Sequence, residues 1–159
     1  MGNVRDLTER ELETWRGFLA ASTLLTRRVE QRLKDDAGLS HAQYEVLARL
    51  AAAGGCLRMT ELAGAALTSK SGLTYQVARL AEAGLVDRRS CAGDDRGVLA
   101  FLTDRGRAAL RAAAEGYSAL VRAEFVDGLT EEQFSGLRKG IQALCAHLDN
   151  AGEPVGPPA

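Results

Sequence analysis

Three things are scarce in this sequence: charge of one sign, long hydrophobic runs and cysteine. Its 159 residues carry 20 Lys and Arg against 21 Asp and Glu, so the formal net charge is -1. Such a balance argues against a nucleic-acid partner, because those binders usually carry a basic excess. The charge-free run near the start, residues 17–26, has ten residues, whereas a membrane span needs ~18 apolar residues. We therefore expect no membrane segment and a cytoplasmic location.

The cysteines point to no disulfide framework and no metal site. Cys56, Cys91 and Cys145 are separated by 35 and 54 residues, spacings that fit neither paired disulfides nor a zinc ribbon. We expect reduced thiols, no metal and no cofactor. Residues 1–13 alternate acids and bases without an apolar block, so they predict no secretory signal. The length indicates one domain with a hydrophobic core.

The even total charge conceals an uneven distribution. Residues 1–66 hold 9 bases and 9 acids, residues 67–111 hold 8 and 5, and residues 112–159 hold 3 and 7. The middle segment therefore carries +3 and the last segment -4. A solvated surface explains such a count as well as a DNA partner does. The motifs along the chain have to distinguish the two.

Capping boxes predict where three helices begin. In a capping box a Ser or Thr is followed three residues later by Glu or Gln, and the two side chains accept hydrogen bonds from two backbone N–H groups at the helix start. The pattern occurs at Thr8, Ser40 and Thr130. Apolar residues recur at spacings of three and four after each box, as amphipathic helices require. Gly38 ends the first helix. Thr103 is predicted to cap a further long helix that runs through residue 126.

The centre of the chain predicts a helix-turn-helix. A short strand at 56–59 precedes a brief helix at 61–66, for which Thr60 is the expected cap. A second helix is expected at 70–83 and ends at Gly84. Two short helices around a tight turn are typical of this motif.

A β-hairpin follows directly. Strand patterns at 85–90 and 98–102 flank a polar, glycine-bounded loop, which predicts a hairpin wing. The expected fold is mainly α with a small β-hairpin wing: a winged helix-turn-helix flanked by N- and C-terminal helices whose apolar stripes predict a homodimer. The predicted divisions are an N-terminal dimerisation helix (1–37), the DNA-binding region (38–103), the C-terminal dimerisation helices (104–149) and a disordered tail (150–159).

One face of the helix at 70–83 suits DNA. On a helical wheel Leu73, Val77 and Leu80 point inward, and an α-helix fits the major groove with its N-terminal residues near base edges. An ordinary amphipathic helix facing water is the alternative. The candidate DNA-binding residues on or beside the polar face are Ser69, Lys70, Ser71, Thr74, Tyr75 and Arg79.

The hairpin adds basic residues. Arg88 and Arg89 lie on the strand that leads into the loop and Arg96 lies at its far end, so a basic tip can enter a minor groove while the stem meets phosphates. Asp95 is expected to turn back and orient an arginine, because a carboxylate facing phosphate is repelled. The alternative is a solvated hairpin with incidental charge.

Taken in order, these segments resemble the MarR family of bacterial transcription regulators. They are LTSKSGLT at 67–74, RLAEAGLV at 79–86, DDRG at 94–97 and LTDRG at 102–106. The resemblance covers about residues 8–149. It implies a triangular winged-helix homodimer that binds a pseudopalindromic double-stranded operator, with 70–83 as recognition helix, Arg96 as wing arginine and the terminal helices as dimer interface.

Two departures from the family pattern bear on DNA contacts. Tyr75 occupies a position where members often have a basic residue, so the contacts here are expected to be less ionic. Gly72 replaces a residue that usually has a side chain, at a cost of about 0.5–1 kcal/mol in helix stability.

The resemblance also implies a small aromatic or phenolic effector between the dimerisation and DNA-binding parts. The residues that could line its pocket are Trp15, His41, Tyr44 and Arg49, although Trp15 and Tyr44 lie on inward faces where a core role explains them.

Three alternatives remain at this stage. The first, an enzyme, is not expected, because the sequence offers no converging acid, base or nucleophile and its two histidines, His41 and His147, lie far apart. A redox response through Cys91 has no nearby second cysteine to resolve a sulfenic acid, and the first helix lacks the cysteine of the family's peroxide-sensing branch. A helical dimer that uses the winged fold for protein contact, without binding DNA, is the third. The expectation is a repressor that responds to a ligand.

Overall fold

The computed structural model describes residues 6–65, 70–91 and 94–150, and for residues 64, 65, 70, 91, 94–97, 149 and 150 it describes the backbone alone. Helices dominate this part of the chain, with one small sheet. In chain order the elements are α1 (Glu9–Ala37), α2 (His41–Ala52), β1 (Cys56–Arg58), α3 (Met59–Ala65), α4 (Lys70–Glu82), β2 (Val86–Cys91), β3 (Asp94–Leu102), α5 (Asp104–Val121), a π-helical segment (Arg122–Val126) and α6 (Glu131–Asn150).

The predicted capping boxes begin α1, α2 and α6. The Thr8 hydroxyl accepts the Glu11 N–H at 3.3 Å, and the Glu11 carboxylate accepts the Thr8 N–H at 2.7 Å. Ser40 and Thr130 make the same reciprocal pair with the glutamines three residues later. At its other end α1 stops at Gly38, whose φ of 67° is left-handed and therefore suits glycine.

The hydrophobic core lies where α2, α3 and α4 meet the sheet and the adjoining parts of α1 and α5. Burial of apolar side chains at helical spacing is the main stabilising contribution here. The largest fully buried side chains are Leu33, Leu47, Leu50, Leu62, Leu73, Val77 and Leu80. The core thus supports α4 from behind and leaves its other face outside.

The sheet has three antiparallel strands in the order β1-β3-β2. The sequence predicted the hairpin and a separate short strand, and the structure pairs that strand with β3, with Cys56 opposite Phe101. On the other side β3 pairs with β2, with Val86 opposite Leu102. The hairpin strands extend further into the predicted loop than expected, with an irregular register between Ser90 and Cys91. The β1 strand therefore anchors the base of the wing.

Three sequence predictions were wrong in detail. Thr60 does not cap α3, because the helix already begins at Met59. The residue before it, Arg58, is the N-cap, and the carboxylate of Glu61 at position N3 accepts the Arg58 N–H at 2.9 Å. The helix after Thr103 leaves α geometry at residue 122, where the Asp127 N–H bonds the Arg122 carbonyl five residues back at 2.8 Å. Trp15, expected on an inward face, is 51% exposed in the protomer.

Candidate nucleic-acid interface

The orientation of α4 agrees with the helical-wheel prediction. Leu73, Val77 and Leu80 are buried against α2, α3 and β2, whereas Tyr75 is 62% exposed. Because a helix repeats every 3.6 residues, burial of this apolar row necessarily turns the Tyr75 side outward. An aromatic ring of this exposure, on a helix held rigidly from behind, is available to a partner.

The described side chains around Tyr75 are small or paired. Ser71 and Thr74 are exposed one turn and one residue before it. Arg79 donates to Glu82, with Nη1 2.8 Å from Oε2. Since these two are the only charged side chains described on α4, that part of its surface carries no net charge. The described part of this face therefore presents hydroxyl groups and the tyrosine ring to the outside.

The two arginines of β2, Arg88 and Arg89, differ in their surroundings, which the sequence analysis missed. The Arg89 guanidinium contacts Asp87 through two nitrogens, Nε at 2.9 Å and Nη2 at 2.8 Å. It also lies over the Phe101 ring, 4.9 Å from the centroid. Asp87 and Arg89 are two residues apart on one strand, so their side chains share a face, and this spacing could have predicted the ion pair from the sequence. The position of Phe101 could not be predicted in this way, because it depends on the register of β3.

Arg88 lies on the opposite face of β2, across from Ala100. Its side chain is exposed and makes no ion pair with any described residue. Arg88 is therefore available to a phosphate, whereas Arg89 is held by Asp87 and by the ring beneath it. Both lie on the strand that adjoins the end of α4.

Several candidate residues lie wholly or partly outside the described part of the chain. Ser69 falls outside the described residues. Lys70 begins α4 and Arg96 lies in β3, but their side chains are outside the description. The same holds for the side chain of Asp95, predicted to orient an arginine, and for the Cys91 thiol at the end of β2.

Two of the four candidate effector residues, His41 and Tyr44, come together with Tyr117 where α2 meets α5. The Tyr44 and Tyr117 rings lie 4.6 Å apart and His41 lies 6.1 Å from Tyr117, measured between centroids. Burial raises the pKa of both tyrosines. Tyr117 was not among the predicted pocket residues, because its approach to α2 joins segments distant in sequence. Trp15 instead stacks on Phe18 near the other end of α1.

Charged groups of α2 lie beside these rings. His41 Nε2 is 3.7 Å from Glu45 Oε1, and Arg49 Nη2 is 3.9 Å from Glu45 Oε2. Hydrogen bonding with His41 lowers the pKa of the Glu45 carboxyl despite its partial burial. The Arg49 side chain is only 14% exposed, and its Nε is buried without a hydrogen-bond partner among the described residues. This region between α2 and α5 therefore combines aromatic ring faces with a mostly buried arginine side chain.

The described residues hold no group of three or more His, Cys, Asp and Glu placed to bind a metal ion. Across the same residues, every helix is too short or too polar to span a bilayer.

Comparisons with known proteins identify the family. Residues 37–97 match the model of the MarR family. Sco3205 of Streptomyces coelicolor, a MarR family transcriptional regulator solved in complex with DNA, is 38% identical with a TM-score of 0.89, covering 97% of this chain and 98% of its own. AbsC, a MarR family transcriptional regulator from the same organism, is 37% identical with a TM-score of 0.85, covering 92% and 99%.

A more distant structure shares the fold alone. The organohalide-sensing regulator RdhR-CbdbA1625, in its 2,4-dichlorophenol-bound form, is 19% identical with a TM-score of 0.84, covering 100% of this chain and 95% of its own. No curated protein matches the sequence significantly. The identity to Sco3205 and AbsC over nearly their whole lengths, together with the winged-helix architecture, shows that the chain belongs to the MarR family of DNA-binding transcription regulators.

Proposed function

We propose that the protein is a homodimeric repressor that binds a pseudopalindromic DNA operator and releases it in response to a small aromatic ligand. The observation that carries the DNA part is the outward face of α4, where Tyr75 is 62% exposed while the opposite face is fixed in the core. The DNA complex of the 38% identical Sco3205 supports it. The proposed contact residues are Ser69, Lys70, Ser71, Thr74, Tyr75 and Arg79 of the helix with Arg88, Arg89 and Arg96 of the wing.

The dimer is supported by the terminal helices. Ten large hydrophobic side chains of the described residues are exposed, and nine of them lie on α1, just before it, or on α6. Exposed apolar side chains gathered in this way mark an interaction site. The nine are Leu7, Trp15, Phe18, Leu19, Leu24, Leu137, Ile141, Leu144 and Leu148.

A second copy of the chain is the partner that fits these helices. No described residue of α6 is buried, although its apolar side chains recur at helical spacing, as they do when a helix packs on another. A twofold axis places the same surface on both partners. It also places two α4 helices side by side, and successive major grooves of one face of DNA are ~34–36 Å apart.

The charges of the winged segment suggest how affinity and specificity divide. Phosphate contacts through arginine supply salt-dependent affinity without sequence information. The described surface of α4 has its two charges paired, Arg79 with Glu82. Non-specific binding should therefore be weak and should come mainly from the arginines of the wing, while discrimination between sequences comes from the hydroxyl groups and the tyrosine ring of α4.

The cluster of His41, Tyr44, Arg49 and Tyr117 supports the ligand part of the proposal. Ring walls and a mostly buried guanidinium suit an aromatic ligand that stacks on the rings and accepts a hydrogen bond from Arg49. Glu45 Oε2 already lies 3.9 Å from Arg49 Nη2, so an anionic group of the ligand would have to take the place of this carboxylate at the guanidinium. The cluster joins α2, next to α4, with α5, which leads to the dimerisation helices. A ligand here can favour one separation of the two recognition helices over another.

Selection of bound fragments from the source genome, followed by footprinting, tests the proposal. We expect enrichment of fragments that share an inverted repeat, with protection of about 20 base pairs, as two recognition helices one turn apart require. Binding only in low salt without enrichment would leave a non-specific binder. Absence of any DNA binding would favour the alternative, a helical dimer that uses the wing for protein contact. A regulator that binds bacterial chromosomal DNA acts in the cytoplasm, which is the location that this proposal implies.

A further inference from the structure

Thr103 lies between β3 and α5 and bonds both to the turn after α4 and to the first turn of α5. Its hydroxyl donates to the Gly84 carbonyl at 2.8 Å and accepts the Gly106 N–H at 3.0 Å. Its backbone N–H donates to the Leu85 carbonyl at 3.2 Å. Residues 84 and 85 are the turn that ends α4, and residue 106 is in the first turn of α5. One side chain therefore closes the N-terminal end of α5 and ties it to the turn that follows α4.

Gly106 permits these bonds by its lack of a side chain. It is buried, and a Cβ built on it would overlap the Leu85 carbonyl oxygen and lie 2.7 Å from Leu102 Cδ1. The backbone of α5 thus rests directly on the turn after α4. Gly84, with a left-handed φ of 71°, makes that turn tight. These residues form a close contact that leaves little room for one helix to rotate against the other.

Apart from this junction, α4 packs against α2, α3 and β2, while α5 packs against α1 and α2. Those contacts are largely apolar, and apolar burial has no directional preference. Hydrogen bonds do have one, because they weaken steeply as the donor angle bends. The bonds of Thr103 are therefore suited to setting an angle rather than merely holding two surfaces together.

We propose that Thr103 and Gly106 form a joint that fixes the angle between α4 and α5, so that Thr103 is a positioning residue for DNA recognition. The inference rests on the proposed function, in which α4 reads DNA and α5 leads to the dimer interface. The joint sits at the C-terminal end of α4, whereas the residues proposed to read bases lie towards its N-terminal end. Small rotations at the joint are enlarged at the DNA.

The length of α4 gives the scale. Its 13 residues extend about 20 Å at 1.5 Å per residue. A rotation of about 10° at one end moves the other end of such a helix by about 3.5 Å, close to the ~3.4 Å between successive bases. Loosening the joint should therefore blur the preferred distance between half-sites by about one base pair in each protomer.

The test compares operators with altered spacing. The probes are the inverted-repeat duplex recovered by genomic selection and two derivatives with one base pair added or removed between the half-sites. Thr103→Val removes the hydroxyl at nearly unchanged volume, and Thr103→Ser retains it. We expect wild type and Thr103→Ser to prefer the natural spacing by about 10-fold or more, which corresponds to about 1.4 kcal/mol. Thr103→Val should bind all three duplexes with more nearly equal affinity.

A purely structural role gives a different result, because a smaller folded fraction lowers the affinity for all three duplexes in the same proportion. Gly106→Ala perturbs the joint independently, by displacing the Leu85 carbonyl, and serves as the second variant if Thr103→Val does not fold. It should shift or flatten the dependence of affinity on half-site spacing. The proposed joint is refuted if a variant that folds, Thr103→Val or Gly106→Ala, keeps the wild-type preference for spacing. It is also refuted if neither variant folds while Thr103→Ser is unaffected. Failure of the genomic selection with wild-type protein to recover any such duplex refutes the proposed function instead.

Discussion

Removing the Tyr75 ring should weaken operator binding by an amount that follows from its exposure. Tyr75 is 62% exposed, so with roughly 200 Å² for a whole tyrosine about 120 Å² is available to DNA. Covering half of that area contributes about 1.5 kcal/mol at ~25 cal/mol per Å². This corresponds to about tenfold in affinity per half-site. With two half-sites in one operator, Tyr75→Ala should weaken dimer binding by about 100-fold.

Fluorescence anisotropy with labelled operator, measured at several salt concentrations, tests this expectation. The ring carries no charge, so the slope of log affinity against log salt should stay at its wild-type value. Binding to an unrelated duplex should change little. Tyr75→Phe is the matched control, since it keeps the ring and should lose far less affinity than Tyr75→Ala. Thermal unfolding should be nearly unchanged in both, because the side chain is outside the core.

Two results would refute the reasoning. If Tyr75→Ala bound the operator as tightly as wild type, the outward face of α4 would not contact DNA at its centre. If instead the variant lost the same factor on operator and unrelated DNA, the ring would contribute only to general affinity, and discrimination would have to come from elsewhere.

The remaining predictions concern the wing, the dimer and acid stability. Arg88→Ala should lower the salt slope by about 1 per half-site, whereas Arg89→Ala should lower it less because that charge is already paired; equal slopes for the two variants would contradict this. Leu144→Asp should convert a particle of twice 16.9 kDa into monomer in light scattering, while Gln142→Asp, on the other side of α6, should not. Because hydrogen bonding with the neighbouring imidazole lowers the pKa of Glu45, this carboxylate stabilises the fold above its ordinary pKa and the contribution is lost as the pH falls through the lowered value. The difference in unfolding free energy between wild type and Glu45→Gln should therefore shrink below about pH 4.3, and a difference that grows in acid would contradict it.

Features that depend on neighbours in the chain were predictable from sequence. The capping pair of Thr8 and Glu11 is three residues apart, and the buried row of Leu73 and Val77 follows from helical spacing, so both were found before the structure. The Thr103 cap was found for the same reason. Its second bond, to the Gly84 carbonyl 19 residues away, depends on how the strands return the chain and could not be found that way.

Features that join distant segments account for what sequence reasoning missed. Pairing of β1 with β3 and the approach of Tyr117 to Tyr44 depend on the packing of whole elements. Trp15 shows a different limit. Periodicity indicates that an apolar stripe of a helix will be buried, but not whether the same chain or another chain buries it. Its 51% exposure is the result expected if the proposed dimer covers this stripe.

The ratio of affinities for the selected operator and a scrambled duplex of equal length, measured at 150 mM salt, tests the central claim most directly. Sequence-specific binders typically show ratios of about 10³ or more, and we predict a ratio in that range for wild-type dimer. A ratio near one would show that the winged face holds DNA only through its charge, and would contradict the account of α4 as a reader of sequence.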